Sequence, residues 1–133
     1  MPYLIDSDIV IAHLKDDEEI LALIDRLSEG LISISVITYM EAYQGVIRSP
    51  DPHTANHKFN AFMVRVPALP VSVDVARRCA GVREELRQSG RSFCPRGLDL
   101  LIAATAMEYD LTLVTRNIKH YDDIPGLELY SFD

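Results

Sequence analysis

Short apolar runs alternate along this chain with stretches whose apolar residues recur at helical spacing, and that alternation leaves few folds open. Tyr3–Asp6, Leu31–Ser35 and Leu111–Thr115 read as short buried strands. Ser7–Leu14, Glu18–Glu29, Thr38–Arg48, Asp51 to about Arg65, Val73–Gln88 and Asp99–Tyr109 read as helices. Asp51-Pro52 has the form of an N-cap followed by proline at the first helical position, and Ser72 of a cap for the helix after it. Val66–Val71, interrupted by Pro67 and Pro70, suits a weak or edge strand, and Leu127–Tyr130 a last short one. Strands alternating with helices predict an α/β fold, a central parallel sheet flanked by helices on both faces, as one domain over residues 1–133.

Within that fold the position of three acids matters more than their number. Asp6 closes the first strand, Glu41 follows the second by one helical turn and more, and Asp99 opens the last long helix. In an open parallel sheet these places converge on the crevice beyond the strand C-termini, where ligands bind. Each acid also has a plain structural role open to it. Thr38-Tyr39-Met40-Glu41 matches a capping box, and Asp6 and Asp99 suit helix N-caps. If the three meet, their repulsion should raise at least one carboxylate pKa, and a divalent cation should stabilise the fold. Carboxylates are the ligands that Mg²⁺ and Mn²⁺ prefer, and such a site suits phosphodiester hydrolysis.

Composition narrows the partners. A net charge of -7 argues against passive, charge-driven binding of nucleic acid. Arg77, Arg78, Arg83, Arg87, Arg91 and Arg96 nevertheless cluster in one stretch, a solvated helix face or a local basic patch. Cys79 and Cys94 lack metal-ligand spacing and fit ordinary thiols in a reducing compartment. No apolar run approaches the roughly 20 residues of a membrane span, and Met1-Pro2-Tyr3-Leu4 enters a strand pattern directly, so the expectation is a cytoplasmic chain without a signal peptide. The sequence contains no G-x-S-x-G, no phosphate-cradling glycine loop and no Cys–His signal. His53 and His57, four apart on a polar helix, read as solvated.

Taken together, the motifs resemble those of PIN domains. Tyr3-Leu4-Ile5-Asp6-Ser7-Asp8-Ile9-Val10-Ile11 is similar to the family's opening strand and first acid. Ile34-Ser35-Val36-Ile37-Thr38-Tyr39-Met40-Glu41-Ala42-Tyr43-Gln44-Gly45 resembles its second motif, and Asp99-Leu100-Leu101-Ile102-Ala103-Ala104-Thr105-Ala106 its third. Leu113-Val114-Thr115-Arg116-Asn117 resembles the fourth, with Pro125-Gly126-Leu127 after it. The likeness runs nearly end to end, and VapC-type toxins are the subgroup it points to.

That resemblance implies a Mg²⁺- or Mn²⁺-dependent endoribonuclease, the toxin of a type II toxin–antitoxin pair, leaving a 5′-phosphate and a 3′-hydroxyl. Asp6, Glu41 and Asp99 match the acidic triad, Asp6 and Asp99 as the main metal ligands and Glu41 as a further ligand or the group that orients water. The family's fourth position, often aspartate, is Asn117 here, whose neutral oxygen would hold a second cation more weakly. Asp122 and Asp123 read as surface acids. The stretch Gly90–Leu98 is longer than usual before the third acid. Arg91, Arg96 and Arg116 are candidates for phosphate contacts, since a guanidinium grips phosphate bidentately. The resemblance also implies a homodimer and a VapB-like antitoxin whose arm blocks the acidic pocket.

Three other readings fit parts of the chain. Asp6-Ser7-Asp8 after an apolar strand resembles the start of a haloacid-dehalogenase-like phosphatase, but no later lysine and strand-borne aspartate pair follow. A receiver-type signalling domain would need an aspartate after its third strand, where Val66–Val71 has none. A non-catalytic RNA- or partner-binding module of the same fold is the rival from another class, and metal-dependent cleavage separates the two.

Overall fold

The computed structural model describes residues 2–91 and 96–132; Cys94 and its neighbours at 92–95 lie outside them. The elements follow in the order β1 (Tyr3–Ile5), α1 (Ser7–Leu14), α2 (Glu18–Leu27), β2 (Ile32–Ser35), α3 (Val36–Arg48), α4 (Pro52–Met63), β3 (Ala68–Leu69), α5 (Val73–Gln88), α6 (Gly97–Glu108) and β4 (Thr112–Val114), with a 3₁₀ turn at Ile118–His120. The sheet has the order β3-β2-β1-β4, every pair parallel. Its strands are short, but they alternate sides as the pleat requires. Ile5, Ile34 and Val114 point into one core with α1, α2 and α4. Leu4 and Leu113 point into the other, under α5 and α6. The expected parallel sheet with helices on both faces is what forms.

Cap chemistry places most helix starts. Ser72 Oγ accepts from the Val75 N–H at 3.1 Å, and α5 runs over Val73–Gln88 as the sequence predicts. Asp51 accepts from the Thr54 N–H at 3.3 Å ahead of Pro52. β3 is an edge strand reduced to Ala68–Leu69 between its prolines. The expected final strand shrinks to one parallel bridge, Leu129 beside Leu113. It is nonetheless held by two backbone bonds, Leu113 N to Glu128 O and Tyr130 N to Leu113 O. Among the described residues no helix is long and apolar enough to cross a membrane.

Two helix starts differ from the sequence reading, and both differences concern site residues. Helix α3 begins at Val36, not Thr38, because Ser35 at the end of β2 is the cap: its buried hydroxyl accepts from the Thr38 N–H at 3.1 Å. Glu41 therefore lies in the second turn, outside any capping box. Helix α6 begins at Gly97, with Arg96 in the cap position and no side-chain cap bond, so Asp99 sits inside the first turn. An acid there favours the helix dipole without spending its oxygens on the orphan donors. Ser35→Ala should cost about 1 kcal/mol, seen as a melting point lower by about 3–5 °C. A melting point unchanged within error would show that the β2–α3 corner does not rest on this cap.

Candidate active site

The strand order reverses between β1 and β4. Connections from β1 lead to β2 and β3 on one side, and β4 closes the other, which makes the C-terminal ends of β1 and β4 the switch point of the sheet. Asp6 stands there as the residue after β1. Its backbone N–H donates to Val114 O of β4 at 2.9 Å, and its Oδ1 accepts from the Ser7 N–H at 2.8 Å, capping α1. Its second oxygen, Oδ2, accepts a 2.7 Å hydrogen bond from Thr115 Oγ1, the residue after β4. Asp6 and Thr115 are both buried. The cap reading of Asp6 is correct and incomplete, since capping occupies one oxygen while the other is held by Thr115 at the end of β4.

Thr115 has one hydroxyl hydrogen, and the shorter bond takes it to Asp6. Asp8 Oδ1 lies 3.4 Å from the same hydroxyl, which also accepts the Asn117 N–H at 3.0 Å. Asp8 Oδ2 accepts the Arg116 N–H at 2.8 Å. The turn after β4 is thus pinned to the start of α1 by backbone donors. Asn117 itself is exposed; its N–H donates to Thr115 and its carbonyl accepts from the His120 N–H at 3.0 Å.

Asp99 comes to the same place from α6. Its Oδ1 accepts from the Tyr121 hydroxyl at 3.3 Å, and its Oδ2 lies 3.1 Å from His120 Nδ1. The charges of both Asp8 and Asp99 act on Asp6. Burial is the largest cause raising the Asp6 pKa, Thr115 offsets it by donating to the ionised form, and the two neighbouring carboxylates raise it further, to about 6. A carboxylate with a raised pKa is present, but burial and not repulsion among the three expected acids is its first cause, and Glu41 takes no part. Tyr121, buried against these acids, is pushed up from the ordinary phenol range by burial first and then by the charges of Asp6 and Asp99.

Glu41 stands apart from this pair. Its Oε1 is buried without a hydrogen-bond partner among the described residues. Asp6 and Asp99 are therefore brought together, while Glu41 offers a bare oxygen from α3. Among the described residues no three acidic, histidine or cysteine side chains are drawn into a ready-made cation cage. A divalent cation nonetheless fits the donor set: Mg²⁺ is usually held by one or two carboxylates plus water and substrate phosphate. A carboxylate oxygen removed from water and left unpaired has a strong reason to take a ligand.

The candidate phosphate contacts are all engaged within the chain. Arg116 Nη1 and Nη2 lie 3.3 Å from Asp17 and 3.4 Å from Glu19 at the start of α2. Arg91 donates to Asp123 O at 2.7 Å, and Arg96 pairs with Asp123 Oδ1 at 2.8 Å. Asp122 is exposed as expected, but Asp123 is partly buried, and Arg96 holds its pKa below the usual range. It ties the segment before α6 to the one after the 3₁₀ turn. His53 and His57 are exposed. Sequence reasoning passed over Thr115, Tyr121 and His120, and weighed Asp8 as a site residue in the phosphatase reading alone. Pairing of β1 with β4 would have flagged Thr115; nothing in the sequence signals Tyr121. A groove of about 990 Å³, lined by Leu31, Phe62 and Val64 among others, opens near Pro2 and Ile32, where β1 and β2 begin, not at the acids.

Comparison with known proteins follows the same outline. The family profile described as PIN domain matches residues 3–126. The chain is 32% identical over 135 aligned positions to ribonuclease VapC2 of Rickettsia felis, covering 100% of this chain and 99% of that one. It is 27% identical to the tRNA(fMet)-specific endonuclease VapC of Shigella flexneri, covering 96% and 95%. Among solved structures, VapBC2 from Rickettsia felis bound to a DNA fragment from its promoter superposes with a TM-score of 0.88, at 29% identity and 100% coverage of both chains.

The position of Asp6 has a measurable consequence. A carboxyl titrating near 6 in the fold and near 3.8 when unfolded costs the folded state up to about 3 kcal/mol at neutral pH, at about 1.4 kcal/mol per pH unit. The sign follows from the raised value: below pH 4 the group is protonated in both states and costs nothing, and the cost grows until the folded carboxyl ionises near pH 6. Asparagine retains the cap through its one carbonyl oxygen, and its NH2 in place of Oδ2 donates to Thr115 Oγ1, whose hydrogen is left free to turn to Asp8 Oδ1. Asp6→Asn should therefore be more stable than the wild type at pH 7 without added metal, and the gain should fade towards pH 4. Urea unfolding at several pH values measures it; a variant less stable at pH 7 contradicts the electrostatics described.

Proposed function

Because this chain belongs to the PIN domain family, we propose that it is an RNA-cleaving hydrolase, a metal-dependent endoribonuclease that serves as the toxin of a toxin–antitoxin pair. One observation carries the reading: Asp6 and Asp99, from different ends of the chain, face each other at the switch point of the sheet, with Asp6 buried and held at a raised pKa. A purely structural role gives no reason to bury one carboxylate within reach of another that is only partly exposed; a shared cation does. The relatives named as ribonucleases and endonucleases support the same activity.

In this proposal Asp6 Oδ2 and the Asp99 carboxylate hold Mg²⁺ or Mn²⁺, with Glu41 Oε1 as a further oxygen ligand or the site that orients water. The cation, when bound, supplies a Lewis acid that activates water and offsets phosphate charge. The protein's own part is positioning. Thr115 and the Ser7 N–H fix the Asp6 carboxylate in one orientation. Asn117 contributes a neutral amide where an acid often stands, which suits one firmly held cation. Arg116 reaches a backbone phosphate once it leaves Asp17 and Glu19, and exposed pairs of this kind hold weakly. Arg91 and Arg96 shape the rim through Asp123. A VapB-like antitoxin arm carrying a basic side chain would neutralise the acids and block RNA, and the toxin would act as a homodimer.

The test is RNA cleavage by the purified chain freed of antitoxin, with Mg²⁺, with Mn²⁺ and with chelator, beside Asp6→Asn and Asp99→Asn. Cleavage should need metal, and each variant should lose roughly 100-fold or more, beyond the cost of removing an outer partner of a ligand. Equal trace activity in all samples would sink the proposal in favour of a binding module.

A further inference from the structure

Tyr121 is 1% exposed, one of the largest fully buried side chains, with its ring in the core under α5 and α6. Its place is set by short backbone bonds, Tyr121 N to Ile118 O at 2.9 Å and Ile124 N to Tyr121 O at 3.1 Å. The ring therefore has little freedom, and its hydroxyl emerges where two carboxylates of different elements approach. It donates to Asp99 Oδ1 at 3.3 Å and lies against Asp6. A buried tyrosine hydroxyl needs a partner, and an ordinary core tyrosine finds one at a backbone carbonyl. Here a neutral donor stands between two like charges. Phenylalanine would fill the same ring volume, so packing does not explain the oxygen.

We propose that the Tyr121 hydroxyl is a positioning group for the acidic site, holding the Asp99 carboxylate turned towards Asp6 so that the pair is preformed to share a divalent cation. This rests on the metal-dependent reading above. The acids are anchored unequally: Asp6 by Thr115 and Ser7, each through a short bond, and Asp99 by Tyr121 and by His120, which is largely exposed. The buried hydroxyl is thus the rigid half of Asp99's support. Partners that orient a ligand in this way typically carry 10–100-fold of metal affinity.

The experiment is a Mn²⁺ titration of the full chain, followed by electron paramagnetic resonance of the free ion, together with thermal melting in chelator. Tyr121→Phe should weaken Mn²⁺ binding by about 10-fold or more while the metal-free chain still melts cooperatively. Tyr130→Phe, which loses a hydroxyl that meets Arg26 beyond the start of β1, should bind Mn²⁺ as the wild type does. In an Asp99→Asn background the Tyr121→Phe effect should fall below about twofold, because the hydroxyl acts through Asp99. Unchanged or tighter Mn²⁺ binding by Tyr121→Phe, with wild-type binding intact, overturns the proposal and leaves the endoribonuclease reading standing. An equal loss in the Asp99→Asn background overturns it too. A wild type that binds no Mn²⁺ overturns both.

Discussion

The bond from Thr115 Oγ1 to Asp6 Oδ2 joins the ends of β1 and β4, the two parallel strands between which the strand order reverses. It works with the backbone bond from Asp6 N to Val114 O, one residue earlier on β4. Together they fix how α1 leaves β1 and how the chain turns after β4. That turn carries Arg116 and Asn117 and then leads to His120 and Tyr121, which reach Asp99 on α6. Three separate segments are registered against one another through a few polar contacts, open to solvent at Arg116 and His120 and dry around Asp6 and Thr115. In such surroundings hydrogen bonds are strong and unpaired groups are costly, so the site is stiff where it is satisfied.

It is also charged where it is stiff. Asp6, Asp8 and Asp99 share this end of the sheet, and at Asp6 their repulsion adds to the larger effect of burial. Without a counter-charge the fold carries that cost as a local conflict that better caps or a neutral residue would remove. Conflicts of this kind are expected where function, not stability, sets the residue. The two cores on either side of the sheet are apolar and continuous enough to support it.

The architecture was legible in the sequence because strands and helices alternate with distinct periods, and because Ser72, Asp51 and Pro52 mark helix starts unambiguously. The helix carrying Glu41 was harder. Thr38 to Glu41 satisfies the capping-box pattern, yet Ser35, three residues earlier, makes the cap. Two serviceable caps in succession cannot be ranked from sequence, and the choice decides whether Glu41 Oε1 is occupied or bare. The cap role open to Asp99 falls away for a similar reason: Gly97 and Leu98 look like loop but already belong to α6. Asp6 was legible as both cap and candidate ligand, and it is the first while remaining open to the second. Thr115, His120 and Tyr121 gave no such signal. Their contacts span 21 to 109 residues of chain or depend on which strands pair, and neither spacing nor composition encodes that.

Charge argues for how RNA would be met. The chain is acidic overall, and its crevice more so, which makes approach of a polyanion unfavourable at long range. The nearby guanidiniums do not simply reverse this, since Arg116 lies with Asp17 and Glu19 and Arg96 with Asp123. The Arg96 pair is partly buried and fixed by a second bond to His120 O, so it belongs to the frame of the rim. The Arg116 pairs are longer and more exposed, so that guanidinium is the one a phosphate could recruit at little cost. In the proposed function, recognition of the backbone would then depend on a cation held by Asp6 and Asp99 together with this releasable arginine. The same imbalance explains why a basic arm from a partner protein would be an effective competitor: it would supply to the acids the positive charge that their own chain keeps elsewhere.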